Sequence, residues 1–343
     1  MKIAVDGMGG DHAPRAIVEG AFLAATEDRR SLCLVGDLET LEAELARLGD
    51  LPEGLELVHS DEVVEMDEAA TTALRKKRKA SIRVCAELVE EGRARALVTA
   101  GNTGAAMVTA VVVMGTLQGV DRPALATVVP TPRGSSVLLD VGANVSSKAS
   151  HLRQFAVMGH FYAQEILGTT QPRIGLLSVG EEEGKGTELT REVYRVLEST
   201  GLNFLGNVEG RDVFNGEADV IVCDGFVGNV VLKSSEALAE LLFGLLGEEL
   251  RRNPRTRLGA VLARPAFRKV ERRVDPEEYG AAPLLGVRGG CFIGHGSSTA
   301  EGIRNAIRRA TEFCQARVDI KITEKVEEMH REEEALLGGV EGV

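Results

Sequence analysis

Short apolar runs alternate along this chain with longer stretches in which apolar side chains recur every three or four residues. Ile3 to Val5, Leu32 to Val35, Leu55 to His59 and Ala96 to Thr99 read as buried strands. Leu38 to Leu48 and Ala80 to Glu91 have helical spacing, the second through Ile82, Cys85, Ala86, Leu88 and Val89. The order predicts an α/β fold: a largely parallel sheet with helices on both faces, built as a single unit over residues 1–343. The longest apolar stretch, Ala105 to Leu117, is shorter than the roughly 20 residues a spanning helix needs. It is expected to be a buried helix. The Glu-rich end predicts a frayed helix and a loose tail over residues 326–343.

Six of the predicted strands run into glycine-rich polar loops. The first is Asp6-Gly7-Met8-Gly9-Gly10-Asp11-His12-Ala13-Pro14, where Pro14 is suited to the first turn of a helix. The others are Ala100 to Gly104, Val141 to Asn144, Gly180 to Gly186, Asp224 to Asn229 and Gly294 to Ser298. In an open parallel sheet the carboxyl ends of the strands share one edge, where ligands bind. Helix starts there offer backbone N–H groups to an anion. Six such loops predict a composite site for a small anion; each loop alone is equally well explained as a tight turn. The first loop is not a dinucleotide fingerprint, because the third glycine of G-x-G-x-x-G would fall on His12.

A net charge of −12 argues against a nucleic-acid partner. The five cysteines, Cys33, Cys85, Cys223, Cys291 and Cys314, form no C-x-x-C pair. They predict reduced core thiols in a cytoplasmic protein, without a zinc site. The opening strand predicts no signal peptide. No nucleophile is advertised: Ser297 and Ser298 lack a G-x-S-x-G setting and could simply cap a helix.

The loops, taken with Gly36-Asp37, Asp121-Arg122-Pro123-Ala124 and Gly206-Asn207-Val208-Glu209, resemble the bacterial acyl-acyl carrier protein:phosphate acyltransferase family over residues 1 to about 325. The resemblance implies transfer of a fatty acyl group from acyl carrier protein to inorganic phosphate. The acyl phosphate formed would feed a membrane glycerol-3-phosphate acyltransferase in phospholipid synthesis. It also implies a fold like the phosphotransacetylases and the isocitrate and isopropylmalate dehydrogenases, a homodimer, peripheral membrane association, and no metal or cofactor.

Phosphate is itself a nucleophile, so such a reaction needs positioning and oxyanion stabilisation rather than an acyl-enzyme. Lys185 is a candidate to offset phosphate charge. His12 and His295 are candidates to manage a proton, and Asp6 and Asp224 to orient them or act as base. Gly9, Gly10, Asn102, Thr103, Gly104, Asn144, Gly228, Asn229, Ser297 and Ser298 are the candidate phosphate and acyl-phosphate contacts. Two rival functions stay open on the residues: a dehydrogenase of the isopropylmalate type, and a non-catalytic sensor of phosphorylated metabolites.

Residues 236–285 break the strand–loop–helix rhythm and predict a helical projection. Ala237 to Leu250 is apolar. Residues 251–273 carry nine basic side chains against one acid, among them Arg251, Arg252, Arg268 and Lys269, interleaved with Leu258, Leu262 and Phe267. Pro265 is expected to kink the segment. A basic amphipathic stretch in an acidic protein predicts docking on an anionic membrane surface, with a dimer contact as the alternative. A second basic run, Arg75-Lys76-Lys77-Arg78-Lys79, is a candidate to steer the acidic carrier protein.

Overall fold

The computed structural model describes residues 1–338, and these hold eleven strands in one sheet. The strands are β1 (Lys2–Asp6), β2 (Ser31–Gly36), β3 (Leu55–His59), β4 (Ala96–Thr99), β5 (Ala124–Thr131), β6 (Gly134–Leu139), β7 (Ile174–Leu177), β8 (Phe204–Val208), β9 (Val220–Val222), β10 (Ala282–Leu285) and β11 (Gly290–Ile293). The first helices are α1 (Arg15–Thr26), α2 (Leu38–Leu45), α3 (Ala70–Lys76), α4 (Ser81–Glu90), α5 (Thr103–Thr109) and α6 (Ala149–Glu165). The rest are α7 (Glu188–Glu198), α8 (Gly225–Arg251), α9 (Pro254–Val274), α10 (Ala300–Ala316) and α11 (Val318–Gly338).

Because strand side chains alternate between faces, each strand feeds two cores. Ile3 and Val5, Leu32 and Leu34, and Ala96 and Val98 pack into one, with α1, α6, α10 and α11. Ala4, Cys33, Val35 and Leu97 pack into the other, with α4 and α5. The sheet is therefore covered on both faces, as expected. Polar side chains fix where several helices begin. Asp37, Asn102, Thr187, Asp224, Asn253 and Thr299 each accept a backbone N–H from the first turn of the helix that follows.

The sheet order is β3-β2-β1-β4-β11-β10-β5-β6-β9-β7-β8. Strands β3, β2, β1, β4 and β11 are mutually parallel, and so are β6, β9, β7 and β8. Between them β10 and β5 pair antiparallel on both sides, so the second set runs opposite to the first. The expectation that all six loops share one edge is corrected: they form two groups of three. Register sets the groups' relative height. Leu139 pairs with Ala126, and the neighbouring Leu125 pairs with Leu284. Pro283, next to Leu284, pairs with Phe292, which pairs with Val98 across from Val5. Leu139 and Val5 thus stand in the same row, and each is followed by an acid, Asp140 and Asp6. The two groups of loops leave the sheet from that common row, in opposite directions.

Three segments differ in detail from the sequence expectation. The stretch from Ala105 to Leu117 is helical through Met114, but Ala110–Met114 widens into a π turn. Ala110 and Met114 are buried while Val111 and Val112 face out. The projection is a hairpin of α8 and α9, and α9 continues through Pro265. Residues 282–285, expected in the projection, belong to the sheet as β10. Helix α11 continues through Gly338 and buries Val326 and Met329 against the core, so residues 326–338 are not a loose tail. Residues 339–343 of that expected tail lie outside the described residues.

Candidate active site

The first group of loops follows β1, β4 and β11, three neighbouring strands. At its base the buried Asp6 carboxylate accepts Thr99 Oγ1–H at 2.8 Å and the Met8 N–H at 3.3 Å. Thr99 Oγ1 in turn accepts the Gly101 N–H at 3.0 Å. Burial raises the Asp6 pKa, against hydrogen bonds from Ser81 and Thr99 that favour the anion. A side chain at Gly9 would come within 2.5 Å of Asp6 Oδ2 and 3.0 Å of Gly101, so only glycine fits that crossing. The Asp11 N–H donates to Gly296 O at 2.8 Å, and the Gly294 N–H to Thr99 O at 2.7 Å. These bonds lace the three loops together and bring the exposed residues His12, Thr103 and His295 to one end of the sheet.

The second group follows β6, β9 and β7. Asp140, fully buried, accepts N–H groups from Leu125 at 3.0 Å, Ala143 at 2.9 Å and Asn144 at 2.7 Å, and the Asn144 side-chain amide at 2.9 Å. Burial raises its pKa, against those donors. The first turn of α8 sits directly on this loop. The Gly225 N–H donates to Asn144 O at 2.9 Å. A side chain at Gly228 would lie 1.8 Å from Asp140 O. Asn229, exposed, lies against Gly142. Lys185 is exposed on the loop after β7 and makes no ion pair among the described residues. Its backbone N–H bonds Glu182 O, which Asn207 Nδ2 also holds at 2.9 Å.

Several candidates hold hydrogen bonds that build the loops. Asn102 caps α5 through Oδ1, and its Nδ2 donates to Met66 O at 2.9 Å and Glu68 O at 3.0 Å. Asn144 Nδ2 is divided between Pro123 O and Asp140. Neither amide has a hydrogen left for a substrate. Asp6 is enclosed at the base of its loop, and Asp224 caps α8 by accepting the Val227 N–H. The cap of α10 is Thr299, not Ser297 or Ser298. Glu277 backs that cap, accepting Thr299 N–H at 2.7 Å and Oγ1–H at 2.5 Å, so a carboxylate already occupies the start of α10. By contrast α1 starts without a side-chain cap and without an acid in its first turn. Ser298 is buried, whereas Ser297 is exposed with its hydroxyl 2.7 Å from His295 Nδ1. In the second basic run, Lys77 is held by Val63 O and Glu68, and Lys79 by Asp61, leaving Arg75, Lys76 and Arg78 exposed and without such partners among the described residues.

Sequence reasoning gave Asp140 and Glu277 no role. Asp140 was legible as an acid closing a strand, but its four donors come from residues 125 to 144, which the fold assembles. Glu277 lies in a segment whose local sequence offers no clue to a helix start 22 residues later. Burial raises the Cys223 and Cys85 thiols well above their ordinary value, and those of Cys291 and Cys314 to about 12. All five cysteines are buried core residues. Among the described residues, no cluster of three or more His, Cys, Asp or Glu could hold a metal ion.

Comparison with known proteins adds three findings. The family model described as "Fatty acid synthesis protein" matches residues 1–321. The phosphate acyltransferase of Pelotomaculum thermopropionicum is 52% identical over 329 residues, 95% of each chain. That of Acidobacterium capsulatum is 52% identical over 320 residues, 92% of this chain and 94% of its own. Among solved structures, a phosphotransacetylase from Streptococcus pyogenes aligns with a TM-score of 0.62 at 17% identity, covering 91% of this chain and 94% of its own. A branched-chain phosphotransacylase from Enterococcus faecalis aligns with a TM-score of 0.56 at 16% identity, over 91% and 98%. At that identity the likeness is one of fold.

Proposed function

The chain belongs to the phosphate acyltransferase family, and from that premise we propose that it takes the acyl group from the thioester of acyl carrier protein and places it on inorganic phosphate, by direct attack. A phosphate oxygen bonds to the carbonyl carbon and the carbon–sulfur bond breaks. The proton that hydrogen phosphate carries ends on the departing thiol.

The observation that carries the placement of phosphate is the open start of α1. It follows the Gly9–Gly10 crossing with neither a capping side chain nor an acid in its first turn. The Ala16 N–H bonds His12 O at 3.1 Å, and the remaining first-turn N–H groups with the helix dipole favour an anion there. The starts of α5, α7, α8 and α10 are each taken by a side chain of the protein, and that of α6, which also lacks a side-chain cap and an acid, belongs to the second group of loops. His12, Thr103 and His295 stand in the same group of loops and complete the phosphate and carbonyl contacts. Lys185 and Asn229 stand in the second group. From β11 to β6 is three strand spacings, about 14 Å. A free phosphate cannot touch both groups, but an acyl chain on its carrier arm is long enough to lie across them. The test is to incubate the protein with palmitoyl-acyl carrier protein and phosphate, trap product with hydroxylamine, and follow free carrier thiol. Phosphate-dependent hydroxamate and thiol are expected; neither product from folded protein and intact donor would overturn the reading.

The same reading gives the hairpin a role in location. No described helix is long and apolar enough to cross a membrane. Yet Leu238, Leu241, Leu242, Leu245 and Leu246 form one exposed stripe on α8, and Leu258, Val261 and Leu262 are exposed on α9 among arginines. The hairpin docks a cytoplasmic protein on an anionic membrane surface, near the membrane acyltransferase that consumes acyl phosphate, and part of the stripe pairs two copies as a homodimer. Arg75, Lys76 and Arg78 steer the acidic carrier protein. Charge reversal at Arg251, Arg252, Arg268 and Lys269 is expected to release the protein from anionic vesicles while leaving turnover in solution. Binding equal to that of the parent would sink the membrane role.

A further inference from the structure

His295 lies in the turn after β11, exposed, with its ring held by the residue two positions on. The Ser297 backbone N–H is 3.3 Å from Nδ1, and the Ser297 hydroxyl is 2.7 Å from the same nitrogen. A backbone N–H can only donate, so Nδ1 has to present its lone pair. A proton on Nδ1 would set two N–H groups against each other. A neutral imidazole that accepts at Nδ1 carries its hydrogen on Nε2. The turn is itself fixed: the Ser298 N–H bonds His295 O at 3.0 Å, and the Asp11 N–H bonds Gly296 O at 2.8 Å.

We propose that Ser297 is a positioning residue that locks His295 as the Nε2–H tautomer, and that His295 serves acyl transfer as a neutral hydrogen-bond donor to the carbonyl oxygen rather than as a base. The inference rests on the acyltransferase reading for its substrate, but the tautomer is a property of the resting protein. The chemistry balances without a proton leaving His295. As the phosphate oxygen bonds the carbonyl carbon, an electron pair moves to the carbonyl oxygen, where Nε2–H receives it. When the pair returns, the carbon–sulfur bond breaks, and the thiolate takes the proton that hydrogen phosphate brought. A fixed donor aimed at developing charge works in this way because it needs no reorganisation at the moment of reaction.

The experiment has two arms. In the first, the resting protein labelled with 15N-histidine is examined by NMR, the His295 signals being identified by their loss in His295→Ala. A pyrrole-type Nε2 and pyridine-type Nδ1 are expected in the parent and in Ser297→Ala, which keeps the backbone N–H; Ser297→Pro, which lacks that N–H, is expected to shift the ring toward a tautomer mixture. Protonated Nδ1 in the parent overturns the proposal. In the second arm, turnover is measured by hydroxamate trapping. His295→Ala is expected to lower kcat about 100-fold. His295→Gln, which can donate but cannot take up a proton, is expected to recover at least tenfold of that loss. Ser297→Ala is expected to lower kcat about tenfold with little change in KM for phosphate, and Ser297→Thr to restore it. Thermal unfolding of each variant separates these effects from loss of fold. A His295→Gln variant as inactive as His295→Ala overturns the donor role, and a Ser297→Ala variant with parental kcat overturns the positioning role of the hydroxyl. Failure of the parent to make acyl phosphate would overturn the acyltransferase reading instead, and the NMR arm would still decide the tautomer.

Discussion

The loop around Asp140 and the α8–α9 hairpin share a junction and are built on opposite principles. Around Asp140 nearly every polar group is enclosed and answered: one carboxylate with four donors, and two glycines where α8 touches down. A few residues further along α8, burial stops. Apart from Gly225 and Gly228, no residue of α8 or α9 is buried, and the hairpin carries more than half of the large apolar side chains that the described residues expose. Helix α8 alone is 27 residues, about 40 Å at the usual rise per residue. The difference teaches that two kinds of apolar and polar patterning coexist here. One stabilises the fold, and the other contributes little to it and leaves an apolar surface exposed.

The contrast breaks most visibly at Asp140. Replacing Asp140 with Ala strands three backbone N–H groups and an amide in a dry environment. A loss of about 4 kcal/mol or more is expected in denaturant unfolding, and Asp140→Asn, which keeps an acceptor, should lose distinctly less. Equal stability of Asp140→Ala and parent would mean the loop is not held as described. On the hairpin the opposite is expected: changing Leu242 and Leu262 to Ser should leave unfolding within about 0.5 kcal/mol of the parent, while vesicle binding falls about tenfold or more. A large drop in stability of dilute protein would place that stripe inside the fold. Lys185→Ala should lower turnover about tenfold or more without moving the unfolding midpoint. A smaller effect is expected at the second basic run. Reversing Arg75 and Arg78 should raise KM for acyl carrier protein a few-fold at low salt. Reversal at Lys77 should instead disturb stability, because that ammonium belongs to Glu68.

The smallest expected effects are in pH dependence, and they have opposite signs inside and outside the loops. Burial raises Asp6 and Asp140 above the ordinary value of 3.8. The part of their contribution that depends on protonation is therefore full below that value and is lost as pH rises through their raised values, while the donors around each still need an acceptor. The stability advantage of the parent over Asp6→Asn should shrink as pH rises from about 4 toward neutrality. Asp28 is the reverse case: bidentate hydrogen bonds from Arg304, both 2.8 Å, hold it below 3.8. Its contribution is present above 3.8 and is lost as pH falls through its lowered value. Asp28→Asn should therefore match the parent more closely at acid pH than at neutral pH. Parallel slopes for the two variants in pH-dependent unfolding would refute the assignment.

Strand and helix positions, the glycine loops, the buried cysteines and the basic hairpin were all legible in the residues, because each depends on neighbours within a few positions. Periodicity distinguished Ile3–Val5 from Ala80–Glu91, and glycines marked where strands ended. The family likeness was legible in the same loops. Only the tertiary structure decided how those loops are arranged. Two antiparallel strands, β5 and β10, reverse half of the sheet and divide one expected edge into two. That reversal depends on pairing between residues 124–125 and 284–285, far apart in sequence. The same distance hid the true employment of Asn102, Asn144 and Lys77, whose side chains look free in sequence and are taken by carbonyls and acids the fold delivers. It also hid Glu277 on the cap of α10 and the open start of α1. A residue's type states which hydrogen bonds it can make; which of them remain for a substrate is settled by what packs against it.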